Sequence, residues 1–300
     1  MATILAQLAL VSESATVPLS DLLLISAALQ KQVQRDFGPI WDIQATVDAF
    51  ASLNSVPPGY WPIIIRDDIG YRAAGIHLDH NGQPYALVDA DYNVALTCSH
   101  ECLEMLADPF GKRFISGRSP VDNSQRVDFL LEVCDPSEAA TFGYTVNGLL
   151  LSDFYTPHYF DPVANSAVRY SFTDSIKAPR QVLQGGYLSW KIPGRDEWYQ
   201  HDYLGGSLQL KGPYQWGMQG YQSWREVIDA QTATARHKLA QKAQKAQTRQ
   251  ADKARAAAPI GLSFTPLMLV AAPVQVAASE WATRLRDDID QVVARAQAIK

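Results

Sequence analysis

Across the first 110 residues, apolar side chains recur with two different periods in a set order, and that order limits the folds open to the chain. Residues 3 to 13 (TILAQLALVSE) alternate as a half-buried strand does. The run from Leu19 to about Phe37, opened by Pro18 and Ser20, places Leu22, Leu23, Ile25, Leu29 and Val33 at helical spacing. Extended stretches follow at 41 to 52, at 60 to 66 (YWPIIIR, after the turn Pro57-Pro58-Gly59) and at 84 to 90 (PYALVDA, after the turn His80-Asn81-Gly82). A second helix carries LTCSHECLEMLADPF (96 to 110) and stops at Asp108-Pro109, because proline disfavours a helical residue before it. Strand, helix, three strands, helix predicts an α+β fold.

That helix carries the most informative polar pattern in the chain. At about 100° per residue, His100, Glu101, Glu104 and Asp108 fall in one arc, with Cys98, Cys102, Leu103, Met105 and Leu106 on the other side. Any half-buried helix shows such a wedge, so the wedge alone does not make a site. A His-Glu pair with a third polar residue four positions after the histidine, however, is close to the zinc-binding pattern H-E-x-x-H, in which residues i and i+4 grip one ion. Here Glu104 stands where the second histidine belongs. Downstream, SQRVDFLLEVCDPSEA (124 to 139) reads as one or two helical turns ended by Asp135-Pro136, and brings Glu132, Asp135 and Glu138. His77, Asp79, His80 and His158 are further candidate ligands, although a lone histidine is more often a surface or satisfied core residue.

On these residues, over positions 1 to about 160, the chain resembles the zincin metalloproteases of the gluzincin type. The span GIHLDHNGQPYALVDADYNVALTCSHECLEMLADP and the later LLEVCDPSEA are also similar to bacterial proteins of uncharacterised function. In zincins a strand, a helix and a mixed sheet precede the helix that carries H-E-x-x-H, and gluzincins place a glutamate third ligand downstream. The resemblance implies His100, Glu104 and Glu132 as ligands of a divalent metal. Asp135, Asp108 and His158 are alternatives for the third position. It implies Glu101 as the general base on metal-bound water, and peptide or protein as substrate. Zinc is the first choice of metal. One histidine with carboxylates is a harder, more anionic donor set than two histidines, so manganese or iron is also open, and the Lewis acidity is lower.

Residues 142 to 222 are dense in Tyr, Trp, Gly and Pro and read as β-rich, with hairpins around Val146-Asn147-Gly148 and Trp190 to Trp198. They complete a domain spanning 1 to 224. Tyr187, Trp190, Trp198 and Tyr199 there are candidates for stacking on sugar, against the ordinary reading of core aromatics. Residues 225 to 258 form a basic Ala/Gln/Lys-rich helix or linker with Arg236, Lys238, Lys242, Lys245, Arg249, Lys253 and Arg255, read as a solvated face or a contact for an acidic partner. In 259 to 300, an apolar stretch to residue 278, broken by Pro266 and Pro273, docks on the domain or on another subunit. A helix from 279 follows, capped by Ser279 and striped with Trp281, Leu285, Ile289, Val292, Ala296 and Ile299.

Composition narrows the remaining classes. With 47% hydrophobic residues and a net charge of −5, the chain can bury a full core and has no basic excess with which to neutralise phosphates, which argues against nucleic acid as a partner. An odd number of cysteines, Cys98, Cys102 and Cys134, points to free thiols, and the first residues carry no Lys or Arg ahead of their apolar run, so no secretory signal is expected. The expectation is a cytoplasmic, non-membrane, metal-dependent hydrolase. Its rival is a metal-free zincin-like scaffold in a larger assembly, joined through residues 225 to 300.

Overall fold

The computed structural model describes residues 5–195, 197–232 and 279–298. Strand β1 (Leu5–Ser12) leads into α1 (Leu19–Lys31), which runs through a π-helical segment, Gln32–Phe37, into the short α2 (Gly38–Trp41). Then come β2 (Gln44–Ala49), β3 (Trp61–Arg66), β4 (Gly75–His80), β5 (Gln83–Asp89) and α3 (Val94–Ala107). The first sheet has the order β2-β1-β3-β5-β4. Its strands are parallel except β4, which is antiparallel to β5 across the Asn81-Gly82 turn. The fold is α+β, as expected, with a mixed sheet running directly into α3.

Strand alternation sorts the core of this sheet into two faces. Leu8, Leu10, Ile63, Ile65, Ala86 and Val88 pack with α1 and α3. Ala9, Val11, Ile64, Leu87, Ile76 and Leu78 pack on the other side against Ala282, Leu285, Ile289 and Val292 of the C-terminal helix, α5 (Glu280–Ala298). Ser279 caps that helix by accepting from the Ala282 amide at 3.0 Å. The apolar stripe read from sequence is thus used within the chain, and α5 is tied at its rim by Arg66–Asp290 (2.9 Å), Arg286–Glu13 (3.1 Å) and His80–Asp288 (3.0 Å). Exposed pairs of this kind contribute little, and the apolar contact carries the docking.

The second half differs from expectation in two places. Residues 124 to 139 are not helical: β7 (Arg126–Leu130) runs into a loop and a single 3-10 turn, Asp135–Ser137. Val127, Phe129, Leu131 and Val133 alternate into the core, so the true period of the segment is two. The expected polar loop 111 to 120 contains β6 (Phe114–Arg118). The hairpin expected at Asn147-Gly148 is β8 (Tyr144–Val146) with β9 (Leu149–Leu151). That around Trp190 to Trp198 is β10 (Tyr187–Lys191) with β11 (Glu197–Asp202), which continues to β12 (Gln209–Gln215). The second sheet, β12-β11-β10-β7-β6, is antiparallel throughout.

Residues 224–232 form a further helix, α4, which packs Val227 and Ile228 against Leu130, Tyr187 and Trp198 of the second sheet and Trp216 just after it. Tyr187, Trp190 and Trp198 are core residues, so they offer no face to a sugar, and Tyr199 stacks on Trp190. The expected basic stretch beyond 232 and the apolar stretch 259 to 278 lie outside the described residues. No helix among the described residues is long and apolar enough to cross a membrane. Docking of α5 predicts that Ile289→Ala lowers stability by about 2–5 kcal/mol through the cavity it leaves. Urea unfolding checks this, and a change within experimental error would show that α5 does not contribute to the core.

Candidate metal centre

Three elements bring polar groups together in the interior. Helix α3 is capped by Asn93, whose Oδ1 accepts from the Leu96 amide at 3.3 Å, and buries Cys98, Cys102, Leu103 and Met105. Its polar wedge is buried too: Glu101 and Glu104 are almost fully enclosed, and the His100 side chain retains 12% exposure. The loop and 3-10 turn after β7 bring Glu132 and Asp135 to that wedge, and α4 brings Arg225 and Asp229. Close docking of α4 requires glycine at 111, which has φ +58°; a Cβ there would lie 2.8 Å from Arg225 Cβ.

His100 Nε2 lies 3.2 Å from Glu104 Oε2 and 3.4 Å from Asp135 Oδ1. Asp135 Oδ1 has no further partner among the described residues, whereas Glu104 Oε2 also lies 3.3 Å from Arg225 Nη2. The opposite oxygen of each carboxylate is held. Glu104 Oε1 accepts from the Cys134 amide at 3.1 Å, and Asp135 Oδ2 accepts from Arg225 Nη1 at 2.9 Å. The same guanidinium reaches Glu132 Oε2 (2.6 Å) and Tyr187 Oη (3.2 Å) through Nη1, Glu104 Oε2 (3.3 Å) through Nη2 and Asp229 Oδ2 (2.8 Å) through Nε.

On the far side of α3, His77 of β4 points its Nδ1 at Glu101 Oε2 (3.5 Å) and Glu104 Oε2 (3.8 Å), while its Nε2 meets the Asp108 carbonyl at 3.2 Å. Ligand-capable atoms fall into overlapping groups: His100 with Glu104 and Cys134, His100 with Asp135 and Glu138, Glu104 with Glu132 and Asp135, and His77 with Glu101 and Glu104. The described residues therefore contain buried groups positioned to hold a metal ion.

The electrostatics follow from burying more carboxylates than cations. Burial works against a charged His100, but Glu104 and Asp135 outweigh it and hold its pKa well above the ordinary value. Burial likewise opposes ionisation of Glu104, yet His100 and Arg225 keep it well below the usual carboxylate range. Glu132 goes the other way. Burial, then the Glu104 and Asp135 charges, push it well above its ordinary value despite Arg225. Burial pushes the Cys102 thiol up to about 12, which makes it inert, and all three cysteines are free.

The structure thus gathers His100, Glu101, Glu104, Glu132 and Asp135, the residues singled out from sequence. The other candidates are engaged elsewhere. Asp108 Oδ2 accepts from the Arg113 amide (2.7 Å), Asp79 Oδ2 from the Gly82 amide (2.7 Å), and the exposed His158 pairs with Asp161 (2.9 Å). Arg225 and Asp229 are additions. Their sequence signal is Trp224, Val227 and Ile228 at helical spacing with an Arg-Asp pair at i, i+4, masked by the basic composition that follows. His77 gains standing for a different reason: alternation on β4 sends Ile76 and Leu78 to one face and His77 to the other. No protein-family model matches the chain, and no curated protein and no solved structure matches it significantly.

Removing Arg225 would leave Glu104, Glu132, Asp135 and Asp229 buried without their cation. Arg225→Ala is therefore expected to cost about 3–5 kcal/mol. Denaturant unfolding measures this, and a loss below about 1 kcal/mol, the level of an exposed pair, would show that the guanidinium is not structurally required.

Proposed function

We propose that the protein is a metal-dependent hydrolase whose divalent ion is held by His100, Glu104 and Asp135, with peptide or protein as the substrate class that the zincin resemblance implies. One observation carries this reading: two buried carboxylates each have one oxygen fixed by a protein donor and the other turned to the same imidazole nitrogen. Ligand atoms about 2.0–2.2 Å from a tetrahedral ion lie about 3.3–3.6 Å from one another. The 3.2 and 3.4 Å separations from His100 Nε2 are close to that spacing.

Zinc fits a histidine with two carboxylates, and manganese or iron suits the harder part of the set. An ion there supplies Lewis acidity to a scissile carbonyl. Arg225 fixes the orientation of Asp135 and offsets the carboxylate charge, as outer partners of metal ligands do. Glu132 stands behind, shared with Arg225. Glu101 is outside this ligand set, and we assign it to the hydrolytic step. His100, at the exposed edge, marks the side from which substrate meets the centre.

A second reading, a metal-free zincin-like scaffold, is favoured by the fact that Arg225 already gives Glu104, Glu132 and Asp135 a cation. Elemental analysis separates the two. In the hydrolase, His100→Ala loses the ion shared with Glu104 and Asp135, whereas Glu101→Gln keeps that ion and loses peptide hydrolysis. Purified protein that takes up no divalent transition metal overturns the hydrolase and leaves the scaffold.

A further inference from the structure

The junction of β4 with α3 holds a set of atoms that hydrogen bonding within the protein leaves unresolved. His77 is fully buried, and its Nε2 meets the Asp108 carbonyl. A carbonyl only accepts, so the Nε2 hydrogen is fixed there, and a neutral ring turns the lone pair of Nδ1 toward α3. A histidine that ligates a metal through one nitrogen characteristically donates its other N–H to such a partner. Nδ1 has no hydrogen bond, and neither has Glu101 Oε2 at 3.5 Å; Glu104 Oε2, at 3.8 Å, already lies beside His100 and Arg225. Two acceptors, His77 Nδ1 and Glu101 Oε2, buried face to face without a donor are costly, and a positive charge between them relieves the arrangement.

The spacing selects between the two cations that could do so. A proton on Nδ1 would draw a carboxylate to about 2.7–2.9 Å, the length of a charge-assisted N–H···O bond. The observed 3.5 and 3.8 Å exceed this; the 3.5 Å to Glu101 falls within the separation of about 3.3–3.6 Å between ligands flanking one tetrahedral ion, and the 3.8 Å to Glu104 lies beyond it. All three ligand atoms lie within 4.8 Å of one another. The backbone is cut to the same purpose at Gly75, where a Cβ would sit 2.6 Å from Glu101 Oε1, so only glycine lets this carboxylate seat against β4.

We propose that His77, Glu101 and Glu104 form a second divalent-cation site, with Glu104 shared between it and the ion at His100. This rests on the metal-dependent reading above and extends it. The centre takes two ions bridged by one carboxylate, the arrangement of two-metal hydrolases. Glu101 acts in hydrolysis by holding the second ion.

The test uses the full chain, stripped with chelator and titrated with Mn2+, with uptake followed by elemental analysis and electron paramagnetic resonance. Wild-type protein is expected to take up about two equivalents and to show the exchange-coupled spectrum of a carboxylate-bridged pair. His77→Gln is expected to retain one ion with an uncoupled spectrum, held by His100, Glu104 and Asp135. His100→Ala retains the other, and Glu104→Ala weakens both. Saturation of the wild type at one uncoupled equivalent overturns the second site, as does a His77→Gln variant that still binds a coupled pair. The first site fails separately, if His100→Ala takes up as much as the wild type; absence of uptake overturns both. Should His77→Gln fail to fold, the wild-type stoichiometry and coupling decide alone.

Discussion

A buried guanidinium ties this fold together. Arg225, on α4, reaches Glu104 on α3, Glu132 and Asp135 beyond β7, Tyr187 on β10 and Asp229 one helical turn away. Those groups belong to both halves of the chain, and no apolar contact could fix them in this relation, because burial of carboxylates without a partner costs more than packing returns. Arginine suits the position and lysine would not: the planar fork addresses several oxygens at once from a rigid frame, where an ammonium is a single point charge. The apolar residues of α4, Val227 and Ile228, set its place on the second sheet, and Arg225 then enters the gap beside α3.

Packing on both sides of the first sheet makes that gap possible. Each central strand carries apolar residues on both faces, so α5 covers one and α3 the other. A helix lying on a sheet normally turns its polar wedge to solvent. Here the second sheet and α4 close over it, and the wedge becomes an interior surface. Each of its charged groups must then find a partner inside, which turns an amphipathic helix into a centre where charge balance decides the chemistry.

Much of the first sheet was legible because its strands are short apolar runs punctuated by turns: Pro57-Pro58-Gly59 before β3 and Asn81-Gly82 before β5. Strand β4 was not, since GIHLDH has only two large apolar residues among its histidines and aspartate. The helical expectation for 124 to 139 did not survive. The alternation of Val127, Phe129, Leu131 and Val133 carried the correct signal, and it places Glu132 on the face toward α4. The candidate ligands on α3 were visible from spacing alone. Arg225 was not, because its partners are about 90 to 120 residues earlier in the chain and its own neighbourhood is basic. Sequence period reports which side of an element is buried, not what lies across from it.

The glutamate at position 104 is best understood from the number of groups it serves. An imidazole there could offer one nitrogen to an ion and its other to one acceptor. The carboxylate does more: Oε1 takes the Cys134 amide, and Oε2 faces His100, His77 and Arg225 from a single position. Replacing it with histidine would restore the familiar H-E-x-x-H pattern while leaving a buried amide without its acceptor and a guanidinium with one carboxylate fewer. The variant motif is therefore matched to its surroundings. Once Arg225 is placed beside α3, a carboxylate at this position gives its Nη2 a partner while facing the ring nitrogens of both His100 and His77.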